Sequence, residues 1–120
     1  MSNVSQRTVL LVDDTEVNQH LIRAILEKLG FAVVLASHGE AAIAATRTQS
    51  FDAVLMDIQM PVMDGFAATS LLREQGFSAP IIALTAENEP TDYAARGFNA
   101  VIAKPFTRHD FEATLNEVLT

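Results

Sequence analysis

Five side chains with catalytic or ligand-binding potential each follow a short apolar run. The runs span residues 8–12, 53–56, 80–84 and 100–103, and the residues after them are Asp13 with Asp14, Asp57, Thr85 and Lys104. If the runs are parallel strands, these residues lie at the carboxyl edge of one sheet, where ligands bind in open α/β folds. We therefore expect the five side chains to share one crevice, although they are far apart in the chain.

Three carboxylates in one crevice predict a site for a divalent cation. Like charges packed together disfavour full ionisation, and a cation relieves that repulsion. Asp13, Asp14 and Asp57 offer only oxygen ligands, which favours Mg²⁺. The cation, the Lys104 ammonium and the Thr85 hydroxyl are the groups that an incoming phosphoryl group needs. Asp57 is then suited to act as a nucleophile and form an acyl phosphate.

The apolar runs, with one more over residues 32–36, alternate with helical patterns. Most runs are continuously apolar, which is typical of strands covered on both faces. Four intervals between them are long enough for a crossover helix, and a fifth helix ends the chain. Five βα units predict an open α/β sheet with helices on both faces.

The helices are predicted from their apolar spacing. The first spans residues 16–29, and one of its faces carries four apolar residues at four-residue spacing: Val17, Leu21, Ile25 and Leu29. The second runs from Glu40 to about residue 48. The last begins at about Arg108 and buries Phe111, Leu115 and Val118.

Helix ends are marked by glycines and by one aspartate. Gly30, Gly76 and Gly97 are each followed by Phe, and glycine adopts the left-handed conformation that ends a helix. Asp64 precedes Gly65 and is predicted to cap the third helix rather than bind metal. The histidines, at positions 20, 38 and 109, lie on different elements and are predicted to be surface residues.

Composition limits the class of protein. The chain has 120 residues, a formal net charge of −7 and no Cys, so it describes one domain without disulfides or Cys-based metal sites. Acidic charge repels phosphate backbones, so direct nucleic-acid binding is not expected. The apolar run before Asp13 is too short for a signal-peptide core or a membrane span. We expect a cytoplasmic protein without membrane contact.

Four segments resemble those of a response-regulator receiver domain, in the order of that family. They are Leu10-Leu-Val-Asp-Asp14, Met56-Asp-Ile-Gln-Met-Pro-Val-Met-Asp-Gly65, Leu84-Thr-Ala86 and Lys104-Pro-Phe106. The resemblance runs from about Arg7 to Thr120, which predicts a single receiver domain over residues 1–120 with residues 1–6 as a flexible extension. It implies a doubly wound, flavodoxin-like (βα)5 fold with three layers and a five-stranded parallel sheet in the order 2-1-3-4-5.

The resemblance also implies a role for each residue of the crevice. These are Asp57 as the phosphoacceptor, Asp13 and Asp14 as the metal pair, the backbone carbonyl of Gln59 as a further Mg²⁺ ligand, Thr85 as the switch hydroxyl and Lys104 as the phosphate contact. It further implies a cis Lys104–Pro105 bond, because cis peptides are essentially confined to proline.

The same resemblance predicts the partners. A phosphohistidine of a histidine kinase transmitter or of a histidine phosphotransfer domain donates to Asp57, and the domain assists this transfer without turning over an external substrate. The first helix and the loop after Asp57 are similar to receivers attached to hybrid sensor kinases. Because the 120 residues contain no predicted output domain, we expect either a stand-alone shuttle or a receiver from a larger protein, such as a hybrid kinase.

Two features depart from the family pattern. Receivers usually carry Tyr or Phe three positions before the strand-five lysine, and this chain has Val101. The interval between Thr85 and Lys104 is also about one helical turn short. Because proline is tolerated only in the first turn of a helix, the fourth helix cannot begin before Pro90 and must end by Gly97. We expect a helix of two turns or fewer and an altered readout.

Three other functions fit the pattern less well. A phosphatase of the haloacid-dehalogenase type needs a second acid two positions after the nucleophile, where this chain has Gln59. A flavodoxin-like FMN site needs a hydroxyl- and glycine-rich loop after the first strand, where this chain has Asp13-Asp-Thr-Glu16. A receiver-fold scaffold with altered or lost switching agrees with Val101 but leaves the intact crevice residues unexplained.

Overall fold

The computed structural model describes residues 6–86 and 92–120. Its five strands form one parallel sheet in the order β2-β1-β3-β4-β5. The strands are β1 (Thr8–Val12), β2 (Ala32–Ala36), β3 (Ala53–Asp57), β4 (Ile81–Thr85) and β5 (Ala100–Ala103), and the helices are α1 (Glu16–Lys28), α2 (Gly39–Thr48), α3 (Gly65–Glu74) and α4 (Arg108–Leu119). The predicted parallel sheet, its order and the α/β class are confirmed.

Two apolar cores cover the two faces of the sheet. Along β1, Leu10 and Val12 face the core formed with α2 and α3, whereas Val9 and Leu11 face the core formed with α1 and α4. All four side chains are fully buried. A strand buried on both faces needs no polar alternation, which explains the continuous apolar runs.

The core-facing side of α1 differs from the predicted apolar face. Val17 and Leu21 are 78% and 52% exposed, whereas Ile22 and Leu26 are fully buried. With 3.6 residues per turn, each four-residue step turns about 40° around the helix, so a run of such steps drifts away from the sheet. The true core stripe follows mixed spacing, and the N-terminal half of α1 leaves two apolar side chains in solvent.

The predicted glycine helix ends are confirmed for α1 and α3. Gly30, Gly76 and Gly97 have φ angles of 98°, 89° and 98°, the left-handed conformation that residues with a Cβ rarely adopt, but Gly97 ends a turn rather than an α-helix. Oδ1 of Asp64 accepts a hydrogen bond from the backbone N–H of Ala67 at 2.9 Å and caps α3. All three histidines are exposed, and Nδ1 of one of them accepts a hydrogen bond at the start of α2.

The connection between β4 and β5 contains a turn in its described part. The short helix predicted to begin no earlier than Pro90 falls partly on residues 87–91, which lie outside the described residues. Within residues 92–99 the structure contains no α-helix, and the turn over residues 93–97 is closed by hydrogen bonds from Arg96 N to Tyr93 O and from Gly97 N to Ala94 O. The described residues therefore carry four α-helices where five were predicted.

The turn over residues 93–97 packs on α3. The Arg73 guanidinium donates to Gly97 O from Nε at 3.0 Å and from Nη2 at 2.8 Å, and Nη2 also donates to Asn99 Oδ1. The Tyr93 ring stacks on Phe66 with the ring centroids 5.7 Å apart. These contacts fasten the described part of the connection to α3.

Only the last residue of the predicted N-terminal extension is described. Residues 1–5 lie outside the described residues, and the Gln6 side chain donates to Gly30 O at 3.2 Å. No helix within residues 6–86 and 92–120 has the length and apolar character needed to cross a bilayer.

Candidate functional site

The residues singled out in the sequence meet at the carboxyl edge of the sheet. Asp13 directly follows β1, Asp57 ends β3, Thr85 ends β4 and Lys104 directly follows β5. In the parallel pairing of β3 with β4, Asp57 lies opposite Leu84, the residue that precedes Thr85. Asp13, Asp57 and Thr85 are at most 2% exposed, so these three side chains are held away from solvent.

The three predicted metal ligands form a compact carboxylate cluster. One carboxylate oxygen from each of Asp13, Asp14 and Asp57 lies within 4.8 Å of the others. Asp14 is exposed and the other two are buried. The cluster is therefore open to solvent on the Asp14 side and enclosed by the sheet on the other.

Two donors converge on one oxygen of Asp57. Lys104 Nζ lies 3.3 Å from Oδ1, and the backbone N–H of Gln59 donates to the same atom at 3.2 Å. Burial, followed by the charge of Asp13, nevertheless raises the pKa of Asp57, because Lys104 and the Gln59 N–H only partly offset both effects. The donors around Asp57 thus do not fully offset its burial and the negative charge of Asp13.

Asp13 has one oxygen satisfied and one without a partner. Oδ1 accepts hydrogen bonds from the backbone N–H and the hydroxyl of Thr15, both at 3.0 Å. Oδ2 is buried, and no hydrogen-bond donor in the described part of the chain reaches it. A buried carboxylate oxygen without a donor is costly unless a cation binds it. The donor set and this unpartnered oxygen fit a hard divalent cation such as Mg²⁺.

Lys104 is held next to the end of β4 by a backbone hydrogen bond. Its backbone N–H donates to Thr85 O at 2.7 Å, which joins the ends of β4 and β5. The Lys104–Pro105 peptide bond is cis, as the resemblance implied. The hydrogen bond thus joins Thr85 and Lys104 at the ends of two neighbouring strands.

The loop after Asp57 closes tightly on β3. A Cβ at Gly65 would lie 2.5 Å from Asp57 O and 2.8 Å from Ile58 Cα, closer than real contacts allow. The backbone N–H of Gly65 donates to Ile58 O at 3.0 Å. Glycine at position 65 thus lets α3 begin against the strand end that carries Asp57.

Two residues that the sequence did not single out, Thr15 and Gln19, contact Asp13. Thr15 binds Asp13 Oδ1, and the Gln19 side chain donates to Asp13 O at 2.6 Å. In the sequence, Gln19 stands out only as an amide on the same side of α1 as the apolar residues Ile22 and Leu26. That side is known to face the sheet only from the structure.

Val101 occupies the position at which the family carries an aromatic residue. Its side chain lies on β5 and is 40% exposed. In the described part of the β4–β5 connection, the first aromatic residue after Thr85 is Tyr93, whose ring packs on Phe66 and Phe98. The aromatic side chains of the β4–β5 connection therefore face α3.

Comparisons with known proteins find similar sequences and similar structures. The family model described as the response regulator receiver domain matches residues 9–116. The transcription factor SKN7 of Candida albicans is 41% identical over 114 residues, which cover 92% of this chain and 20% of that protein. The chain thus spans about a fifth of the length of that relative.

Solved structures show the same arrangement of strands and helices. The chemotaxis protein CheY4 of Vibrio cholerae superimposes with a TM-score of 0.90 at 32% identity and covers 96% of this chain and 100% of its own. The receiver domain of the sensor histidine kinase PA1611 from Pseudomonas aeruginosa PAO1, solved with a magnesium ion in its active site cleft, gives a TM-score of 0.87 at 39% identity, with coverage of 96% and 98%.

Proposed function

This chain belongs to the response regulator receiver domain family, and we propose that it accepts a phosphoryl group on Asp57 from a phosphohistidine of a partner protein. It is homologous to receiver domains of two-component systems, including those of hybrid sensor kinases, and phosphoacceptor function is typical of that family. The observation that carries the assignment to Asp57 is its buried carboxylate, 3.3 Å from an ammonium and within a cluster of three carboxylates.

The transfer forms one bond and breaks one. A carboxylate oxygen of Asp57 attacks the phosphorus atom, a P–O bond forms, and the P–N bond to the partner's imidazole breaks with its electron pair leaving on nitrogen. The acyl phosphate carries more negative charge than the carboxylate it replaces. The Lys104 ammonium, already beside Oδ1, offsets part of that charge. Thr85, buried at the end of β4, is the hydroxyl that we assign to the transferred phosphoryl group.

The residues that would hold Mg²⁺ are Asp13, Asp14 and Asp57, with the Gln59 carbonyl as the fourth ligand from the chain. A bound Mg²⁺ supplies positive charge to the phosphoryl oxygens. The chain itself supports this site through the unpartnered Oδ2 of Asp13 and through the raised pKa of Asp57. Both features indicate a cluster that lacks positive charge.

The test is labelling by a small phosphodonor, read by intact mass. We expect the wild-type chain to gain one phosphoryl group in Mg²⁺ and none in excess chelator, and Asp57→Asn to gain none in either. Asp64→Asn is the matched control, because that side chain caps α3 and asparagine is an equally good cap. Labelling of Asp57→Asn at the wild-type level would refute Asp57 as the acceptor.

The exposed apolar side chains of α1 support a protein partner. Val17 and Leu21 are one helical turn apart and strongly exposed, on a helix that starts two residues after Asp14. A partner whose phosphohistidine reaches Asp57 must cover the rim of the crevice, and apolar contacts at the rim stabilise such a complex. We assign this surface to the histidine kinase or histidine phosphotransfer partner.

A comparison of two donors separates the partner surface from the chemistry. Leu21→Lys should slow transfer from a phosphorylated histidine phosphotransfer protein about tenfold, the usual cost of about 1–2 kcal/mol for an interface residue. It should leave labelling by the small phosphodonor unchanged. Ala44→Lys, an exposed site on α2, controls for the added charge. Equal slowing with both donors would assign Leu21 to the chemistry or to folding rather than to docking.

The expected cytoplasmic location stays a prediction. It rests on composition and on the proposed exchange with a kinase. The identity of the partners and the activity of any longer protein that contains this chain are likewise proposals.

A further inference from the structure

Gln19 is a buried amide on the side of α1 that packs against the sheet. It is 7% exposed, and the neighbouring core positions of the helix, Ile22 and Leu26, are apolar and fully buried. An amide in such surroundings is costly unless its donors are satisfied. A leucine would pack at this position without that cost, so the contacts of the amide need a reason.

Both contacts of the amide lie at the ends of strands. Nε2 donates to Asp13 O at 2.6 Å and to Ser37 Oγ at 3.2 Å, and these acceptors follow β1 and β2 directly. The backbone N–H of Asp13 also donates to Ala36 O at 3.1 Å. Gln19 thus ties α1 to two strand ends at the point where the carboxylate cluster begins.

These contacts fix Asp13 on every side except one. Its N–H, its carbonyl and its Oδ1 are bound by Ala36, Gln19 and Thr15 respectively. Oδ2 has no donor in the described residues, and one carboxylate oxygen of Asp13 lies within 4.8 Å of an oxygen of Asp14 and of Asp57. Repulsion from Asp14 and Asp57 would favour turning Asp13 away, and three anchors oppose that movement.

We infer that Gln19 is a positioning residue for the metal site: its amide holds the Asp13–Asp14 peptide so that the Asp13 carboxylate stays directed at the other carboxylates. The inference rests on the proposed function of the cluster. Residues behind metal ligands commonly change metal affinity by about 10- to 100-fold when replaced. Gln19 acts on the ligand through its backbone, without touching the cation.

The test compares two bonds of the same amide. Gln19→Met keeps the length and volume of the side chain and removes both donors, whereas Ser37→Ala removes only the second acceptor. Mg²⁺ affinity is measured by titration of the folded proteins, without phosphodonor. We expect Gln19→Met to raise the Kd for Mg²⁺ about tenfold and Ser37→Ala to leave it within twofold. A Gln19→Met protein that folds and binds Mg²⁺ with the wild-type Kd would overturn the inference.

A second measurement needs no variant. In the wild-type chain, the side-chain NH₂ resonances of Gln19 should shift during the Mg²⁺ titration, with the same midpoint as the backbone amide of Asp14. A residue that only fills the core would not follow that midpoint, so unmoved Gln19 signals at saturation would overturn the inference. Failure of the wild-type chain to bind Mg²⁺ would instead refute the proposed metal site, and the inference with it.

Discussion

The ammonium of Lys104 lies 3.3 Å from Oδ1 of Asp57, although the two residues are 47 positions apart in the chain. Their strands are not neighbours, because β4 lies between β3 and β5. The pair therefore depends on two crossover connections that bring three parallel strands to the same edge. Only 3% of the Asp57 side chain and 22% of the Lys104 side chain are exposed, so water screens this pair less than it screens a surface ion pair.

We expect Lys104→Met to slow phosphorylation of Asp57 by a small phosphodonor about a hundredfold. Removal of one preorganised group that stabilises developing charge costs factors of this order. The labelling rate at saturating Mg²⁺, read by intact mass, measures the effect. Lys28→Met, at the exposed end of α1, is the matched control. A Lys104→Met rate equal to the wild-type rate would contradict the electrostatic role of Lys104.

Stability should depend on pH through Asp57. Burial and the charge of Asp13 raise its pKa above 3.8 in the folded chain, so the folded state holds this proton more tightly than the unfolded state. The free energy of unfolding therefore falls as pH rises from the unfolded pKa to the folded pKa and stays lowered above it. The Asp57→Asn variant has no carboxyl group at this position, so its free energy of unfolding does not fall in this way. In chelator, we expect urea unfolding to show the variant gaining stability relative to wild type as pH rises from the unfolded pKa of Asp57 towards its raised folded pKa; a constant difference would contradict the prediction.

Asp13→Asn should weaken Mg²⁺ binding by about tenfold or more, because it removes the charge of a ligand rather than a group behind one. The measurement is urea unfolding with and without Mg²⁺, since a ligand at 100 times its Kd adds about 2.7 kcal/mol to the free energy of unfolding. We expect wild type and Asp64→Asn to gain that amount at the same Mg²⁺ concentration and Asp13→Asn to gain about half of it or less. Equal gains in all three proteins would remove Asp13 from the site.

The positions of the crevice residues were predictable because apolar runs define where strands end. Asp57 and Lys104 follow such runs, and parallel pairing brings strand ends together whatever the loops do. The side of α1 that faces the sheet was not predictable from four-residue spacing, and Val17 and Leu21 are exposed. The contact of Gln19 with Asp13 was also missed, since a side-chain hydrogen bond depends on how a helix is rotated against its sheet.

Val62→Gly should stabilise the chain. Val62 has a φ of 69°, and its side chain is fully exposed at 104%, so the substitution loses no buried surface. A left-handed conformation costs an L-residue about 1–2 kcal/mol, and the extra freedom of glycine in the unfolded chain offsets about 0.5–1 kcal/mol. We expect a net gain of about 0.5–1 kcal/mol in urea unfolding. Val62→Ala, which keeps a Cβ, is the control, and a glycine variant less stable than wild type would contradict the prediction.

The last prediction concerns the conformational response. Phosphorylation shifts an equilibrium only through contacts that differ between two states, and Val101 offers a stiff β-branched side chain where the family has a ring. The described part of the β4–β5 connection is instead fastened to α3, through two hydrogen bonds from Arg73 to Gly97 O and through the stacking of Tyr93 on Phe66. Movement that begins at Thr85 should therefore pass into α3 more than into β5.

With beryllofluoride and Mg²⁺ as a phosphate mimic, we expect backbone amide shifts to concentrate in residues 58–65, 85–86 and 92–97 and in α3, with small changes at Val101. Arg73→Lys, which lacks the planar fork of donors, should reduce the changes in α3 and leave those in residues 58–65 intact. A perturbation of β5 and α4 as large as that of residues 92–97 would show that this face switches without its usual aromatic residue.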